Sequence, residues 1–329
     1  MSTKPFHFKN DRDGRWERCV QDFLESKDRA SSGHATLASY KCTLKLFFEN
    51  VDKRPDQIIR QDIETFLHRP GRAGQPSFNT INSRLSVLKS FYTFASEQQT
   101  PGGKSILKSN PTTGIKPAKG SQIDRDIEEQ HVLTFFAQIS RDTLTGLRDR
   151  ALFLCYLYTA RRRAEIANLL WGDFEQVATA SGPAWFYIFK QKRHFAKDSQ
   201  REMPPRAMTA IEEYLRANDR WGRMKPEEPI FINHHHTHAA IRPIHPTTVD
   251  GRFRLYAARA QIPEAAVVHS FRHLSAWLRY QANGHDILAV AEDLGHTGTA
   301  TILRYIKRRE AKYKLDEIAR KLEAQFANL

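Results

Sequence analysis

Residues 109–122 read SNPTTGIKPAKGSQ, and this stretch limits the folds open to the chain more than any other. It combines proline, glycine, serine and lysine and lacks a periodic set of apolar residues, which is typical of a linker. The chain has 329 residues, enough for two domains of ordinary size. We therefore predict a first domain over 1–108, a linker over 109–122, a second domain over 123–310 and a separate C-terminal segment over 311–329.

The first domain has the pattern of a helical module. Apolar residues recur at helical spacing, and strand-like alternation is not evident. In the segment NTINSRLSVLKSFYTFASEQQ, Asn79 is a candidate N-cap. We predict four helices, one in RQDIETFLHR and three with faces marked by Trp16, Val20 and Phe23, by Leu37, Tyr40, Leu44 and Phe48, and by Ile81, Leu85, Leu88 and Tyr92.

The second domain mixes helices with a short stretch of different character. The segments EEQHVLTFFAQI and GLRDRALFLCYLYTA are helical in pattern. Residues 184–205, AWFYIFKQKRHFAKDSQREMPP, pass from aromatic and β-branched residues through a polar bend to two prolines, which predicts a β-hairpin with a long tip. Helices are predicted from Pro205 onward. The fold class expected is mainly α with a small β-hairpin or sheet.

The charge balance points to a polyanionic partner. Lys and Arg number 51 and Asp and Glu 37, which gives a net charge of +14. Such an excess is typical of proteins that bind nucleic acid. The basic residues are spread along the chain rather than gathered in one amphipathic arm, which disfavours a membrane-surface protein.

The sequence carries no mark of export or of a membrane anchor. The start, MSTKPFHFKNDRDGRW, lacks the apolar core of a signal peptide. The longest apolar run, residues 151–160, is too short to span a bilayer and predicts a buried helix. Cys19, Cys42 and Cys155 are far apart in apolar helical contexts, which predicts buried free thiols rather than disulfides or a zinc site. A cytoplasmic location is expected.

Three consecutive arginines follow the run 151–160, in YTARRRAEIANLLWGDF. Glu165 lies about one helical turn after Arg162, close enough to hold an arginine in place. The residues alone allow either a solvated basic turn or a site in which one of the three arginines faces the buried side.

A second basic segment, HSFRHLSAWLRYQANGHDILAVAEDLGHTGTATILRY, combines histidine, arginine and tyrosine. His269 and Arg272 are three residues apart and share a helix face. His296 follows a Leu-Gly turn, where glycine tolerates a left-handed backbone. Tyr305 comes nine residues later, and nearby basic charge favours the ionised form of a tyrosine, whose ordinary pKa is about 10. This mixture suits a phosphate site better than a metal site.

Together these motifs resemble the tyrosine recombinase (phage integrase) family of Cre- and Xer-like enzymes, over nearly the whole chain. The combination of TARRRAEIANLLWGDF, HSFRH, LGH and a tyrosine nine residues after that histidine is specific, although each piece alone is weak. The resemblance implies a helical core-binding (SAM-like) N-terminal domain and an α+β catalytic domain.

The resemblance also assigns roles to individual residues. Arg162 matches the family's first arginine, by its spacing to Glu165, with Arg161 and Arg163 as alternatives. Glu165 is expected to support the site. His269 and Arg272 match the His-x-x-Arg pair. His296 matches the second histidine, and Tyr305 the nucleophile.

The family also places a catalytic lysine in the hairpin. Counting back from Pro205 gives Lys197, which we prefer, and counting forward from the first strand gives Lys192 or Lys190. TARRR departs from the Gly-Leu that usually precedes the family's arginine.

The activity implied is site-specific cutting and rejoining of double-stranded DNA through a 3′-phosphotyrosyl intermediate. The family implies a homo-tetramer on an inverted-repeat site, Holliday-junction strand exchange, and no requirement for a cofactor or a metal. The last segment carries Leu315, Ile318, Leu322 and Leu329 on one face, an apolar stripe that suits the docking on a neighbouring subunit that the family implies. The histidines of residues 234–238 lack the cysteines or carboxylates of a metal site. Alternatives are a type IB topoisomerase-like enzyme and a catalytically silent DNA-binding regulator.

Overall fold

The computed structural model forms two compact units, Met1–Gln122 and Ile123–Leu329. Among the helices that the structure describes, none is long and apolar enough to cross a membrane. The structure describes residues 6–11, 13–30, 34–71, 74–100, 102–120, 125–188, 200–234, 241–295, 299, 302–303, 306–307 and 309–311.

The first unit is the predicted four-helix module. Its core is rich in aromatic rings: Phe91 lies 5.5 Å from Phe23 and 5.7 Å from Phe48 between ring centroids, both in edge-on geometry. Such pairs stabilise a core beyond the area they bury. The helices are α1 (Arg15–Ala30), α2 (His34–Val51), α3 (Arg60–Leu67) and α4 (Phe78–Glu97).

Two details of the first unit correct the sequence predictions. Ser77, not Asn79, caps α4: its backbone is extended and its side chain accepts a hydrogen bond from the Thr80 amide. The helix therefore begins before Asn79, which lies inside it. Cys42 is exposed rather than buried, because it lies on the outward face of α2, whereas Cys19 and Cys155 are buried as expected.

Much of the predicted linker packs on the first unit. Ile115 is buried in its core. Asn82 donates a hydrogen bond to the Ala118 carbonyl over 3.0 Å and accepts one from the Ala118 amide over 2.7 Å. Lys89 donates to the Ile115 carbonyl over 2.7 Å. The chain is thus fixed to the first unit as far as Ala118.

The second unit combines helices with a three-stranded antiparallel sheet in the order β1-β2-β3. The last two strands form the predicted hairpin, and β1 is an addition to it. Between α8 and α9, the described residues form turns and isolated bridges instead of the predicted helix. The elements are α5 (Glu129–Ala137), α6 (Leu144–Thr159), α7 (Arg163–Ala167), β1 (Phe174–Thr179), β2 (Gly182–Ile188), β3 (Gln200–Glu202), α8 (Pro205–Ala217), α9 (Pro246–Arg259), α10 (Val268–Ala282) and α11 (Ile287–Asp293).

An aromatic cluster fixes the helices of the second unit against one another. The ring of Phe135, from α5, lies 5.1 Å from Phe153 of α6, 5.2 Å from Phe253 of α9 and 5.0 Å from Phe271 of α10. Because all four side chains are at most 1% exposed, α10 is held rigidly beside α6 and α9.

A buried ionic network joins α6 to α9. Arg148 donates two hydrogen bonds to one Asp149 oxygen, over 2.9 and 2.7 Å. The other oxygen accepts from Arg252 over 2.5 Å and from the Tyr256 hydroxyl over 2.8 Å. Arg148 and Asp149 are each only 1% exposed. Every one of these charges has a partner, as burial requires.

Candidate active site

The three arginines lie at a sharp turn between α6 and α7. Helix α6 ends at Ala160, whose backbone is left-handed with a φ of 51°. The chain then turns, and Arg162 becomes the residue that precedes α7. Glu165 accepts one hydrogen bond from the Arg162 backbone amide and another from its guanidinium, each over 2.9 Å. This pair fixes the turn and directs the half-exposed Arg162 side chain.

The other two arginines of the turn have different surroundings. Arg161 is only 5% exposed and is hydrogen-bonded to the hydroxyl of Tyr187 on β2. Burial lowers the pKa of the Arg161 guanidinium. Arg163 is exposed and forms an ion pair with Asp250 of α9. Among the described contacts, the Arg162 side chain thus pairs only with the carboxylate of its own turn.

Helix α10 brings His269 and Arg272 to the same turn. His269 is exposed near the start of the helix. Arg272 is buried and donates to the carbonyls of Ala160 and Leu294, the latter over 3.0 Å. Arg272 therefore ties the arginine turn to the Leu-Gly turn that precedes His296. Gly295 has a φ of 64°, the left-handed geometry predicted for it.

A cavity of about 480 Å³ opens beside these residues. Arg162 and His269, which are far apart in the sequence, both line it. Four arginines against one aspartate make its lining strongly basic, which suits an anionic group. The lining residues are Arg125, Arg162, Arg163, Ala164, Asp250, Phe253, Arg254, Val267, Val268 and His269.

Two arginines of this cavity were not foreseen. Arg254 is exposed on α9, and Arg125 lies just before Asp126 at the start of the second unit. The sequence signal for Arg254 is weak: it lies four residues after Asp250, one helical turn away. Arg125 carries no motif, and only the folded chain brings it to the cavity.

A second contact joins the start of the second unit to its last described residues. Asp126 lies 3.4 Å from His273 Nδ1 and 3.9 Å from the guanidinium Nε of Arg309. Arg309 is 4% exposed and also donates to the carbonyl of Ile127. The ring of His273 meets His269 edge-on, at 4.7 Å between centroids. This set was not predicted, since it depends on residues from three distant segments.

Several of the predicted site residues lie outside the described residues. They are Lys190, Lys192, Lys197, His296 and Tyr305. Of the histidine segment 234–238, the structure describes only His234, whose ring lies 3.1 Å from the Tyr214 hydroxyl. Within the described part of the chain, no three His, Cys, Asp or Glu side chains are grouped to hold a metal ion.

Two family models match the chain. The phage integrase family matches residues 125–312, and the N-terminal SAM-like domain of phage integrases matches residues 21–99. The first match alone covers more than half of the chain. Together they account for both units, with a helical domain followed by a catalytic domain of the recombinase class.

Individual relatives agree with this class. Tyrosine recombinase XerD of Lacticaseibacillus casei is 24% identical over 293 residues, covering 87% of this chain and 92% of the relative. Tyrosine recombinase XerC of Chlamydia trachomatis is 24% identical over 246 residues, covering 73% and 71%. The chain belongs to the phage integrase family, and it is by that membership a site-specific DNA recombinase.

Solved structures share the fold. XerH site-specific recombinase, in a post-cleavage complex with palindromic difH substrate, has a TM-score of 0.67 and 18% identity, covering 96% of this chain and 90% of that one. A lambda integrase tetramer bound to a Holliday junction has a TM-score of 0.61 and 14% identity, covering 88% and 76%.

Proposed function

We propose that this recombinase cuts and rejoins DNA through a covalent 3′-phosphotyrosyl intermediate, with Tyr305 as the nucleophile. The observation that carries the proposal is the basic cavity, which is lined by both Arg162 of the arginine turn and His269 of α10. A site that stabilises a phosphoryl transition state needs fixed cationic donors, because catalysis depends on positioning and charge stabilisation.

In the proposed cleavage step, the Tyr305 oxygen forms a bond to the scissile phosphorus and the bond from phosphorus to the 5′ oxygen breaks. Lys197 gives a proton to the leaving 5′ oxygen, and a histidine, His269 or His296, takes the tyrosine proton. Arg162 and Arg272 stabilise the non-bridging oxygens. The new ester retains the energy of the phosphodiester, so attack by another 5′-hydroxyl reverses the step and rejoins strands.

Arg272 has a second role in this proposal. Its guanidinium already holds the carbonyls of Ala160 and Leu294. These two carbonyls border the segments that carry Arg162 and His296. Arg272 is therefore also proposed to hold the two segments next to each other. Its replacement is therefore expected to affect both phosphate binding and the arrangement of the site.

The assembly that we propose is a homo-tetramer on two inverted-repeat DNA sites, which exchanges strands through a Holliday junction. The tetramer of lambda integrase on such a junction supports it through the shared fold. Residues 1–108 bind core DNA, residues 109–122 link the two DNA-binding regions, residues 123–310 hold the catalytic groups, and residues 311–329 dock on a neighbouring subunit.

The test is covalent capture from a library of duplexes with randomised inverted repeats. After denaturing washes, DNA that remains on the wild-type protein reports the adduct, and its sequence gives the site. Tyr305→Phe is the matched control: it is expected to bind the same DNA and to retain none of it covalently. Adducts that persist in this variant would remove Tyr305 as the nucleophile.

The captured site then separates recombination from DNA relaxation. Supercoiled plasmids with no site, one site or two sites are incubated with the protein. A recombinase yields recombinants only from two sites. Relaxation of the plasmid without a site would identify a topoisomerase-like enzyme, and binding without any adduct would identify a silent regulator.

A further inference from the structure

The end of the β2–β3 hairpin is attached to the arginine turn at one rung of the sheet. Tyr187 of β2 and Arg201 of β3 are directly opposed in the antiparallel register. Their side chains therefore lie on the same face of the sheet. The next rung, Ile188 with Gln200, is the last described pair before the segment that contains the candidate lysines.

Both side chains of this rung reach toward charged groups of neighbouring segments. The Tyr187 hydroxyl is hydrogen-bonded to Arg161, and Tyr187 is only 2% exposed. Burial raises the pKa of Tyr187 to about 12, so this hydroxyl stays neutral at physiological pH. Arg201 Nε lies 3.9 Å from a carboxylate oxygen of Asp293, the last residue of α11.

Asp293 connects the same set to helix α10. It accepts a hydrogen bond from Arg279 of α10, which also donates to the Tyr158 carbonyl and the Ser275 hydroxyl. Asp293 also lies close enough to Arg161 to interact with its charge. The described polar contacts thus join β2, β3, α6, α10 and α11 at one place.

Filling the space between the hairpin and the arginine turn with polar side chains costs free energy. Arg161 is the buried ion of the set, whereas Arg279 and Asp293 are 29% and 40% exposed. Burial removes the hydration of Arg161, and an apolar side chain of similar volume often stabilises a fold as well or better. What a guanidinium and a phenol add is direction: their hydrogen bonds fix one geometry, whereas an apolar contact tolerates sliding. The set is suited to holding the strands in one position rather than to stability alone.

We propose that Tyr187, Arg161, Asp293 and Arg279 form a positioning device that aligns the hairpin with the arginine turn, so that the hairpin lysine can protonate the leaving oxygen. The inference rests on the proposed function. These four are positioning residues: none of them needs to touch the DNA. Their loss is expected to slow leaving-group protonation more than phosphate binding.

The test compares two forms of the captured DNA site, one with the ordinary 5′ bridging oxygen and one with sulfur in its place. A thiol has a pKa of about 8.5, so a thiolate leaves without a proton donor, whereas an alkoxide needs one. The variant Tyr187→Phe removes one hydroxyl and keeps the ring. Tyr214→Phe is the control, because it removes another buried hydroxyl, bonded to His234 in the same unit.

We expect Tyr187→Phe to cleave the oxygen substrate roughly 10- to 100-fold more slowly, the loss that a small displacement of a catalytic group causes. The sulfur substrate is expected to be cleaved at the wild-type rate. Asp293→Asn, at a half-exposed position, is expected to slow cleavage of the oxygen substrate and not of the sulfur substrate. It replaces Tyr187→Phe in the test if that variant folds poorly. Tyr214→Phe is expected to match the wild type on both substrates.

Two results overturn the inference. An equal loss on both substrates means that the contact serves the fold in general, and no loss on either means that it positions nothing. If the wild type itself forms no adduct with either substrate, the proposed function fails first, and the inference falls with it. Melting temperatures of all variants distinguish misfolding from misplacement.

Discussion

Three neighbouring side chains, Arg161, Arg162 and Arg163, differ in burial and in partner, and their replacements are expected to differ accordingly. Arg162→Ala removes a positioned cation from the cavity and should slow cleavage by at least about 10², with little change in melting temperature because the side chain is half exposed. Arg161→Ala should lower the melting temperature, since Arg161 is buried against Tyr187. Adduct formation and thermal unfolding are measured on each variant.

Arg163→Ala tests the placement of the family's first arginine, because Arg163 lines the same cavity but is already paired with Asp250. It removes an exposed ion pair with Asp250, which is worth little. A loss of cleavage in Arg163→Ala as large as that in Arg162→Ala would show that the family's first arginine has been placed at the wrong position of the turn.

The three cysteines also differ as single residues. Burial raises the pKa of both Cys19 and Cys155 from 9.0 to about 12, whereas Cys42 is exposed. We expect a thiol reagent at pH 8 to modify Cys42 quickly and the other two only after unfolding, because the thiolate is the reactive form. The reaction is followed by absorbance and mass spectrometry. Rapid modification of Cys155 in the native protein would contradict this.

The same shifts give a pH dependence of stability. The folded state keeps the protons of Cys19 and Cys155 after the unfolded chain has released them. The contribution of these two protonated thiols to the free energy of unfolding is therefore complete below about pH 9 and is lost as the pH rises toward 12. Denaturant unfolding of Cys19→Ala with Cys155→Ala, compared with the wild type, isolates this loss.

The packing of α6 against α9 depends on the Asp149 carboxylate. Asp149→Asn removes the charge that compensates Arg148 and Arg252 in a buried setting. Breaking a buried pair in this way costs about 3–5 kcal/mol. Urea unfolding is expected to show such a loss for Asp149→Asn and almost none for Asp142→Asn, whose side chain is exposed. Equal stabilities would mean that the network is not needed for the packing of these helices.

Elements with their own periodic pattern were predictable, and elements that depend on a partner were not. The apolar stripe in the sequence of α10 indicated a helix, as the structure shows, and in that helix His269 is exposed whereas Arg272 is buried. Strand β1 was missed because FEQVAT has little apolar alternation, and it forms by pairing with β2. The burial of Arg161 was equally hidden, since its partner Tyr187 comes from that sheet.

The molecule as a whole is expected to bind DNA with a strong dependence on salt. Each phosphate neutralised by a cation contributes about −0.9 to the slope of log affinity against log salt. Arg254→Gln should reduce that slope by about 0.9, because this exposed arginine lines the cavity. Arg141→Gln is the control, since Arg141 already pairs with Glu213 over 3.1 Å. A wild-type slope near zero would exclude extensive phosphate contacts.

Assembly can be tested separately from DNA binding. Deleting residues 314–329 is expected to leave half-site binding nearly unchanged and to weaken cooperative binding to full sites and recombination, because the apolar stripe of 315–329 suits a neighbouring subunit. Gel-shift titrations on both kinds of site and a recombination assay measure this. Simultaneous loss of half-site binding and thermal stability would place the segment in the core of its own subunit.

Arg309 has a topological consequence for the second unit. Its side chain fastens residues 309–311 to Ile127, so the first and the last described parts of the unit lie side by side. The described backbone of the second unit therefore begins and ends at neighbouring positions. A circularly permuted second unit, with its present ends joined and new ends at the exposed turn of Ala180 and Ser181 between β1 and β2, is therefore expected to keep its fold.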